Sequence, residues 1–336
     1  MTKPIQLRIG ELELPLNPGE SVLDALLRGG VEVPHACRSG VCGSCTMVCT
    51  SGELPEQAQA GLREVEREQG LFLACQCHPR TSLELERLGD DAATAAEVVE
   101  HTWLSDSVVR LRLRPRAPLT YAPGQYLPLA RADGLTRSYS LASVPSEDLL
   151  EFHVRRVPDG RMSRWLCDEV GPGTQLTLMR PRGSCCYPSN ELDAPLLLVG
   201  VGTGLAPLWG VVREALARGH RGPITLIQAG ARPASLYMRD ELQALAQAHA
   251  QLRVHALVLD GAATEPGLEQ ANVVSFASQL IEASETPAAW LSFVCGDAEI
   301  VKALRLELFL AGVGSRRILA DAFVMTPPSD PSQACA

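Results

Sequence analysis

At 336 residues the chain is longer than one compact domain usually grows, so two or three domains are expected. A hydrophobic share of 46% and a charged share of 21% are ordinary globular usage, which excludes a disordered, collagen-like or coiled-coil chain. Thirty-nine acidic residues against thirty basic ones leave a net charge of −9 with no basic run, so neither nucleic acid nor an anionic membrane is an expected partner. The start, MTKPIQLRIG, has no apolar stretch of the kind a secretory leader needs. The longest uncharged apolar run, Ala194–Val212, is interrupted by Gly200, Gly202, Thr203, Gly204 and Pro207, and reads as strand, glycine loop and helix rather than a membrane span. Eleven cysteines gather in clusters, and for a chain of cytoplasmic character that favours metal over disulfides.

In chain order, Ile5, Leu7 and Ile9, then Leu12 and Leu14, alternate with polar neighbours as in two paired strands. Ser21 to Asp24 forms a capping box opening a short helix that Gly29 and Gly30 close. A cysteine-rich loop follows, then a charged helix over Leu62–Gln69, a buried strand over Leu71–Cys75 and an alternating strand over Ser82–Glu86. Asp90–Glu97, rich in Ala and weakly patterned, is the expected linker.

Beyond it, Val109, Leu111 and Leu113 alternate with arginines as in a half-buried strand. Short strands over Tyr126–Leu129, Ser138–Ala142, Leu150–Val154 and Gln175–Leu178, with one helix near Ser163–Glu169, suggest a small antiparallel barrel. From Pro195 apolar runs (Leu196–Val199, Ile224–Gln228, Val254–Leu259, Leu291–Val294) alternate with helical stretches such as Leu205–Ala217 and Ala298–Ala311, the pattern of a doubly wound parallel sheet.

The segment Cys37-Arg-Ser-Gly-Val-Cys42-Gly-Ser-Cys45, with Cys75 far downstream, has the plant-type [2Fe–2S] spacing. Two irons need four thiolates; three on one irregular loop wrap the cluster, and Gly40 and Gly43 let backbone N–H groups approach its sulfurs. A zinc site would pair two C-x₂-C knuckles, which Cys75-Gln-Cys77 does not supply. Cys75 is the expected fourth ligand, with Cys77 as a substitute.

Two further sets of motifs carry chemistry. In the barrel segment, Pro123-Gly-Gln125-Tyr126 precedes Arg137-Ser-Tyr139-Ser140, and His153-Val154-Arg-Arg is followed by Gly160-Arg-Met162-Ser163, whose helix start offers free N–H groups to a pyrophosphate. In the sheet segment, Gly200-Val-Gly202-Thr203-Gly204-Leu-Ala-Pro207 follows a buried strand and opens a helix, the context of a dinucleotide loop, and Cys295-Gly296-Asp297 follows a later strand.

Together these motifs resemble the ferredoxin–NAD(P)H reductase family with a plant-type ferredoxin fused at the N-terminus, over nearly the whole chain. The resemblance implies a multidomain α+β and α/β protein: a β-grasp ferredoxin domain over 1–89, an antiparallel flavin-binding β-barrel over 98–188, and a doubly wound parallel α/β NAD(P)-binding domain over 189–336. It implies Arg137 on the flavin pyrophosphate, Tyr139 against the isoalloxazine and Ser140 within reach of flavin N5, with Gln125, Tyr126, His153, Val154, Gly160, Met162 and Ser163 around them. It places Gly202, Thr203, Gly204, Pro207, Gly296 and Asp297 at the coenzyme and turns Cys295 toward the nicotinamide; Phe323, in the ending Ile318-Leu-Ala-Asp-Ala-Phe323, either covers the flavin or fills the core. Ferredoxin-first order is similar to the FAD-using branch rather than the FMN one.

Coenzyme choice is expected to depend on Arg232, Ser235 and Tyr237 after the second strand of the sheet. An acidic residue would suit the NAD ribose, whereas an Arg suits a 2′-phosphate, so the segment leans toward NADPH over NADH. The implied activity is hydride transfer to flavin, then single electrons through the [2Fe–2S] cluster to a terminal oxygenase. The overall likeness is to reductases of Rieske-type aromatic-ring dioxygenases, those serving terephthalate among them. A reductase for a soluble di-iron monooxygenase or a deoxysugar-forming enzyme, and a redox-sensing carrier without reductase activity, remain as other readings.

Overall fold

The computed structural model describes residues 5–35, 38–40, 44–87, 93–188, 190–259 and 265–323. They fall into two compact units, Met1–Ala92 and Ala93–Ala336.

In the first unit β1 (Gln6–Ile9) and β2 (Leu12–Pro15) form the expected hairpin, pairing Leu7 with Leu14 and Ile9 with Leu12. Helix α1 (Val22–Arg28) begins at Ser21, whose hydroxyl oxygen accepts from the Asp24 amide at 3.2 Å. Then come β3 (Thr46–Ser51), α2 (Glu64–Glu68), β4 (Leu71–Leu73) and β5 (Leu83–Arg87). The sheet runs β2-β1-β5-β3-β4, with β1 and β5 parallel. Val22, Leu23, Ala25 and Leu26 of α1 pack into one core with Leu7, Met47, Phe72 and Leu83. The charged helix is shorter than the sequence suggests. The strand expected over Leu71–Cys75 stops at Leu73: the Ala74 amide still bonds the Cys45 carbonyl just before β3 (3.1 Å), but Ala74–Gln76 then curl into a 3₁₀ turn.

In the second unit the expected linker is partly a strand. Residues 90–92 lie outside the described residues, but β6 (Thr94–Trp103) begins at Thr94, and its Ala96 and Val98 are fully buried. Small side chains let the strand pass through a crowded wall, and that removed the alternation by which a strand is read. With β7 (Val108–Pro115), β8 (Tyr126–Ala130), β9 (Thr136–Ser140), β10 (Leu150–Arg155) and β11 (Gln175–Leu178) it forms the antiparallel order β10-β7-β6-β11-β8-β9. A bridge between Leu141 and Phe152 joins the two ends, and the Ala142 amide donates to the Glu151 carbonyl at 2.8 Å. Helix α3 (Arg161–Asp168) buries Met162 and Leu166 against the barrel core.

The rest alternates as β12 (Leu196–Val201), α4 (Leu205–Ala217), β13 (Ile224–Gly230), α5 (Arg239–Ala248), β14 (Leu252–Val258), β15 (Glu269–Gln270), α6 (Val273–Glu282), β16 (Leu291–Asp297), α7 (Ala298–Leu310) and β17 (Ile318–Phe323). All pairs are parallel in the order β15-β14-β13-β12-β16-β17. Barrel and sheet share a core: Val108, Cys185 and Tyr187 pack with Leu205, Leu208 and Val211. Arg213 on α4 reaches back to Glu147 (2.6 Å) and to the Ala142 carbonyl (2.5 Å). No helix among the described residues is long and apolar enough to cross a membrane.

Candidate cofactor sites

Strand order reverses between β12 and β16, the switch point at which sheets of this kind take a ligand in a crevice outside the carboxyl ends of the strands. Both loops lining it are the ones singled out by sequence. After β12, Gly202–Gly204 make a 3₁₀ turn that opens α4. Gly202 has φ +58, and nothing lies within 4 Å of where a Cβ would stand, so its outer side is open to a ligand. Gly204 is pressed against the Cys295 carbonyl, and Gly296, at φ +125, against the Val201 carbonyl; a Cβ at either would collide. Pro207 is buried in the first turn of α4, and Thr203 is half-buried. The Asp297 carboxylate caps α7, accepting from the Glu299 and Ile300 amides at 3.1 and 3.2 Å, so that side chain serves the helix.

On the barrel side Tyr126 stands opposite Ser140, and Leu127 opposite Tyr139. Arg137 is exposed and Tyr139 half-buried. The Ser140 hydroxyl donates to Asp321 Oδ2 at 3.1 Å. Asp321 stands opposite Cys295 in the β16–β17 register, so the residue that takes the Ser140 hydrogen bond from the barrel is the strand neighbour of Cys295 in the sheet. Burial raises the Asp321 carboxyl above its usual range despite the Ser140 hydrogen bond. Cys295 is fully buried with its Sγ 3.6 Å from Cys185 Sγ, and burial together with that neighbour pushes its thiol well up, which keeps it protonated.

Other expected contacts are used within the protein. Gln125 is buried, accepts from the Ala122 amide and donates to the Gly183 carbonyl, both at 3.0 Å. Val154 and Met162 point into the barrel core. Ser163 Oγ closes its own loop, accepting from the Val157 amide at 3.2 Å, beside the cap residue Gly160. His153 and Tyr237 meet each other: Nδ1 lies 3.1 Å from the Tyr237 hydroxyl, and Nε2 lies 2.9 Å from Glu151 Oε1. Both ring nitrogens of His153 and the Tyr237 hydroxyl are thus paired within the protein. Phe323 is half-buried at the end of β17. Arg232 is exposed, while the Ser235 hydroxyl folds onto the Arg232 carbonyl at 2.6 Å and is not turned outward.

Of the four cysteines spaced for a cluster, Cys37 and Cys42 lie outside the described residues. Cys45 and Cys75 are both buried; burial, and next to it Cys75, raises the Cys45 thiol. Gln76 Nε2 reaches Cys75 Sγ at 3.7 Å and the Arg38 carbonyl at 3.3 Å. Gly40 holds φ +80 against the Gln76 side chain. The Cys77 thiol is fully buried and burial pushes it up to about 12, with Cys49 rather than Cys45 as its charged neighbour.

Residues 7–80 match the 2Fe-2S iron-sulfur cluster binding domain family, residues 95–187 the oxidoreductase FAD-binding domain family, and residues 198–305 the oxidoreductase NAD-binding domain family. The chain is 33% identical to the reductase subunit of an aromatic O-demethylase from Amycolatopsis sp., over 96% of this chain and 98% of that protein. It is 30% identical to the ferredoxin–NAD(P)(+) reductase component of the naphthalene 1,2-dioxygenase system of Pseudomonas putida, over 92% and 95% of the two chains. The chain belongs to the ferredoxin–NAD(P)H reductase family. Members include the terephthalate 1,2-dioxygenase reductase component 1 of Comamonas sp., 29% identical over 97% of this chain and 99% of that one. Among solved structures, the Amycolatopsis cytochrome P450 reductase aligns with a TM-score of 0.65 at 30% identity, covering 95% of this chain and 98% of that one. The ferredoxin reductase of carbazole 1,9a-dioxygenase aligns at 0.62 and 25%, covering 96% and 99%.

The residues present fit the cofactors of this reductase family. The open face at Gly202 suits a dinucleotide backbone, an exposed Arg137 beside Tyr139 and Ser140 suits a flavin, and two neighbouring buried thiols suit a cluster. Sequence reasoning passed over Asp321 and Cys185. Asp321 was visible only as part of the chain's ending, and its partner Ser140 lies 181 positions away.

Proposed function

We propose that this chain is the reductase component of an aromatic-ring oxygenase system, taking electrons as hydride from NAD(P)H and handing them singly to a terminal oxygenase. The observation that carries this reading is the hydrogen bond from the Ser140 hydroxyl of the barrel to Asp321, the residue that stands opposite Cys295 in the sheet, which brings the flavin motif and the coenzyme motif to one half-buried carboxyl. A bound flavin supplies the conversion of a two-electron hydride into one-electron steps, and the protein supplies position.

Gly202–Gly204 hold the coenzyme backbone at the start of α4, where free N–H groups face an anion. Arg137 would hold the flavin pyrophosphate and Tyr139 would pack on the ring. Ser140 would serve the hydride-accepting side, its hydroxyl proton directed at Asp321 Oδ2. The protonated Cys295 thiol, buried against Cys185, would back the nicotinamide side. Cys37, Cys42, Cys45 and Cys75 hold the [2Fe–2S] cluster, and the nearness of Cys75 to Cys45 favours it over Cys77. The division into 1–89, 98–188 and 189–336 belongs to this reading. Arg232 is exposed at the end of β13, and residues 228–239 contain no acidic side chain, which supports NADPH over NADH. Terephthalate 1,2-dioxygenase is the system we favour on the outgoing side, in the cytoplasm.

The test is an anaerobic visible spectrum of the purified protein titrated with NADPH and, separately, NADH. Bleaching of flavin and iron–sulfur bands together, with NADPH effective at the lower concentration, is the expected result. A colourless protein after reconstitution defeats the reading, and flavin bleaching without a cluster signal breaks it at the second step. Turnover restored with a Rieske-type oxygenase but not with a di-iron monooxygenase fixes the acceptor class.

A further inference from the structure

A chain of hydrogen bonds leaves the barrel wall and ends in the coenzyme loop. Arg112 Nε on β7 donates to Glu151 Oε2 at 2.8 Å, Glu151 Oε1 pairs with His153 Nε2 at 2.9 Å on β10, and His153 Nδ1 pairs with the Tyr237 hydroxyl at 3.1 Å. The His153 and Glu151 side chains are 0% and 4% exposed, and Tyr237 is 2% exposed, so water does not compete for these partners. The His153 and Tyr237 rings meet edge to face, centroids 5.3 Å apart. One assignment of protons satisfies every member. Arg112 and His153 Nε2–H donate to an ionised Glu151, and Tyr237 O–H donates to the free Nδ1 lone pair.

Tyr237 terminates the segment between β13 and α5. Its carbonyl accepts from Gln228 Nε2 at 2.8 Å, and the next residue, Met238, is held at φ +57, a left-handed conformation that a side chain other than glycine adopts only when its surroundings impose it. Arg232 sits exposed at the other end of that segment, with Ser235 turned inward onto the Arg232 backbone. The loop is therefore internally folded, free at Arg232, and moored at Tyr237 to a strand of the flavin barrel rather than to its own sheet alone.

We propose that Tyr237 and His153 are positioning residues for the coenzyme: their hydrogen bond holds the Arg232 loop at the span from the barrel at which a dinucleotide reaches both Arg232 and the β12–β16 crevice. This rests on the coenzyme reading above. The bond acts on binding rather than on hydride transfer, because it lies at the adenosine end and Ser140 and Cys295 are set by other contacts. Its loss therefore raises KM and leaves kcat in place.

The test uses the full-length holoenzyme and ferricyanide as acceptor, with whichever of NADPH and NADH the wild type uses better. Tyr237→Phe is expected to raise the coenzyme KM about three- to tenfold, with kcat within twofold and the flavin spectrum unchanged. Arg232→Ala raises the same KM, and the double variant is no worse than Arg232→Ala alone within about twofold, because the bond works through the loop that presents Arg232. An unchanged KM in Tyr237→Phe, a fall in kcat of the same size, or effects that multiply in the double variant overturns the proposal. Should Tyr237→Phe lose its flavin, His153→Gln is read by the same criteria: its amide keeps a donor for Glu151 and leaves the Tyr237 hydroxyl unpaired. A wild-type protein reduced by neither coenzyme defeats the underlying reading instead, and is seen before any variant is made.

Discussion

Ser140 joins barrel to sheet through a single hydroxyl, so Ser140→Ala separates two roles that flavin binding alone would confuse. The variant is expected to keep its flavin, since Arg137 and Tyr139 remain, while reduction by NAD(P)H slows by about tenfold or more in stopped flow and reduction by dithionite does not change. Equal slowing with both reductants would place Ser140 in flavin binding rather than in hydride transfer. The Glu151–His153 pair gives a second prediction at this scale. Burial works against the Glu151 carboxylate, but the His153 and Arg112 partners overcome it and hold its pKa down to about 2, and burial lowers His153 against the pull of Glu151. Both folded-state values lie below their unfolded ones, so the unfolded chain binds more protons and stability falls as the pH is lowered. The loss begins below the ordinary histidine pKa of about 6.5 and steepens below the ordinary glutamate value of about 4.3. Glu151→Gln is expected to flatten the acid limb of a melting-temperature profile while lowering stability at neutral pH; an acid limb parallel to wild type would show the pair to be irrelevant. Cys45, Gly202 and Ser140 stand out in the sequence because they sit in motifs of fixed local spacing, and the fold places Gly202 at the turn that opens α4 and Ser140 at the end of β9. The pairing of His153 with Tyr237 was not legible, since a hydrogen bond across 84 positions leaves no local trace.

At the scale of elements, the crevice depends on two glycines that let β12 and β16 end against each other. Gly204 meets the Cys295 carbonyl and Gly296 the Val201 carbonyl, in both cases backbone that cannot swing aside. Gly204→Ala therefore forces the loops apart. Roughly 1–3 kcal/mol of stability is expected to go, as in other overpacked cores, together with coenzyme-driven reduction, while dithionite still bleaches flavin and cluster. Retention of wild-type NAD(P)H activity would mean that the crevice tolerates opening. The sheet strands were legible because buried parallel strands are continuous apolar runs, as in Leu196–Val199. Strand β6 was not: Thr94, Ala95 and Ala96 carry little contrast, and Ala96 is buried by the neighbours' bulk rather than its own. The strand expected to carry Cys75 is cut short because Leu71–Leu73 is a true strand and the chain then curls at Ala74–Gln76 into a 3₁₀ turn, which an apolar run does not announce.

At the scale of the whole chain, the cores predict where it can be cut. Leu7, Leu26, Met47, Phe72 and Leu83 close a core using residues of the first unit alone, whereas barrel and nucleotide sheet cannot be separated in this way. Val108, Cys185 and Tyr187 complete the sheet's core, Tyr187 hydrogen-bonds His220 at 2.8 Å, and Arg213 ties α4 to Glu147 and the Ala142 carbonyl. Burying a side chain the size of Leu contributes about 1.5–3 kcal/mol, so losing a shared layer of several such residues would exceed the net stability of a typical domain. A fragment over 93–336 is therefore expected to fold, to bind flavin and to reduce ferricyanide with NAD(P)H at a rate within about threefold of the full chain. It should show no iron–sulfur absorbance and fail to support an oxygenase. A fragment over 189–336 is expected to be insoluble or molten, with Leu205, Leu208 and Val211 left uncovered. A cooperative melt from that shorter fragment, or loss of flavin from the longer one, would place the boundary of independent folding elsewhere than the shared core requires.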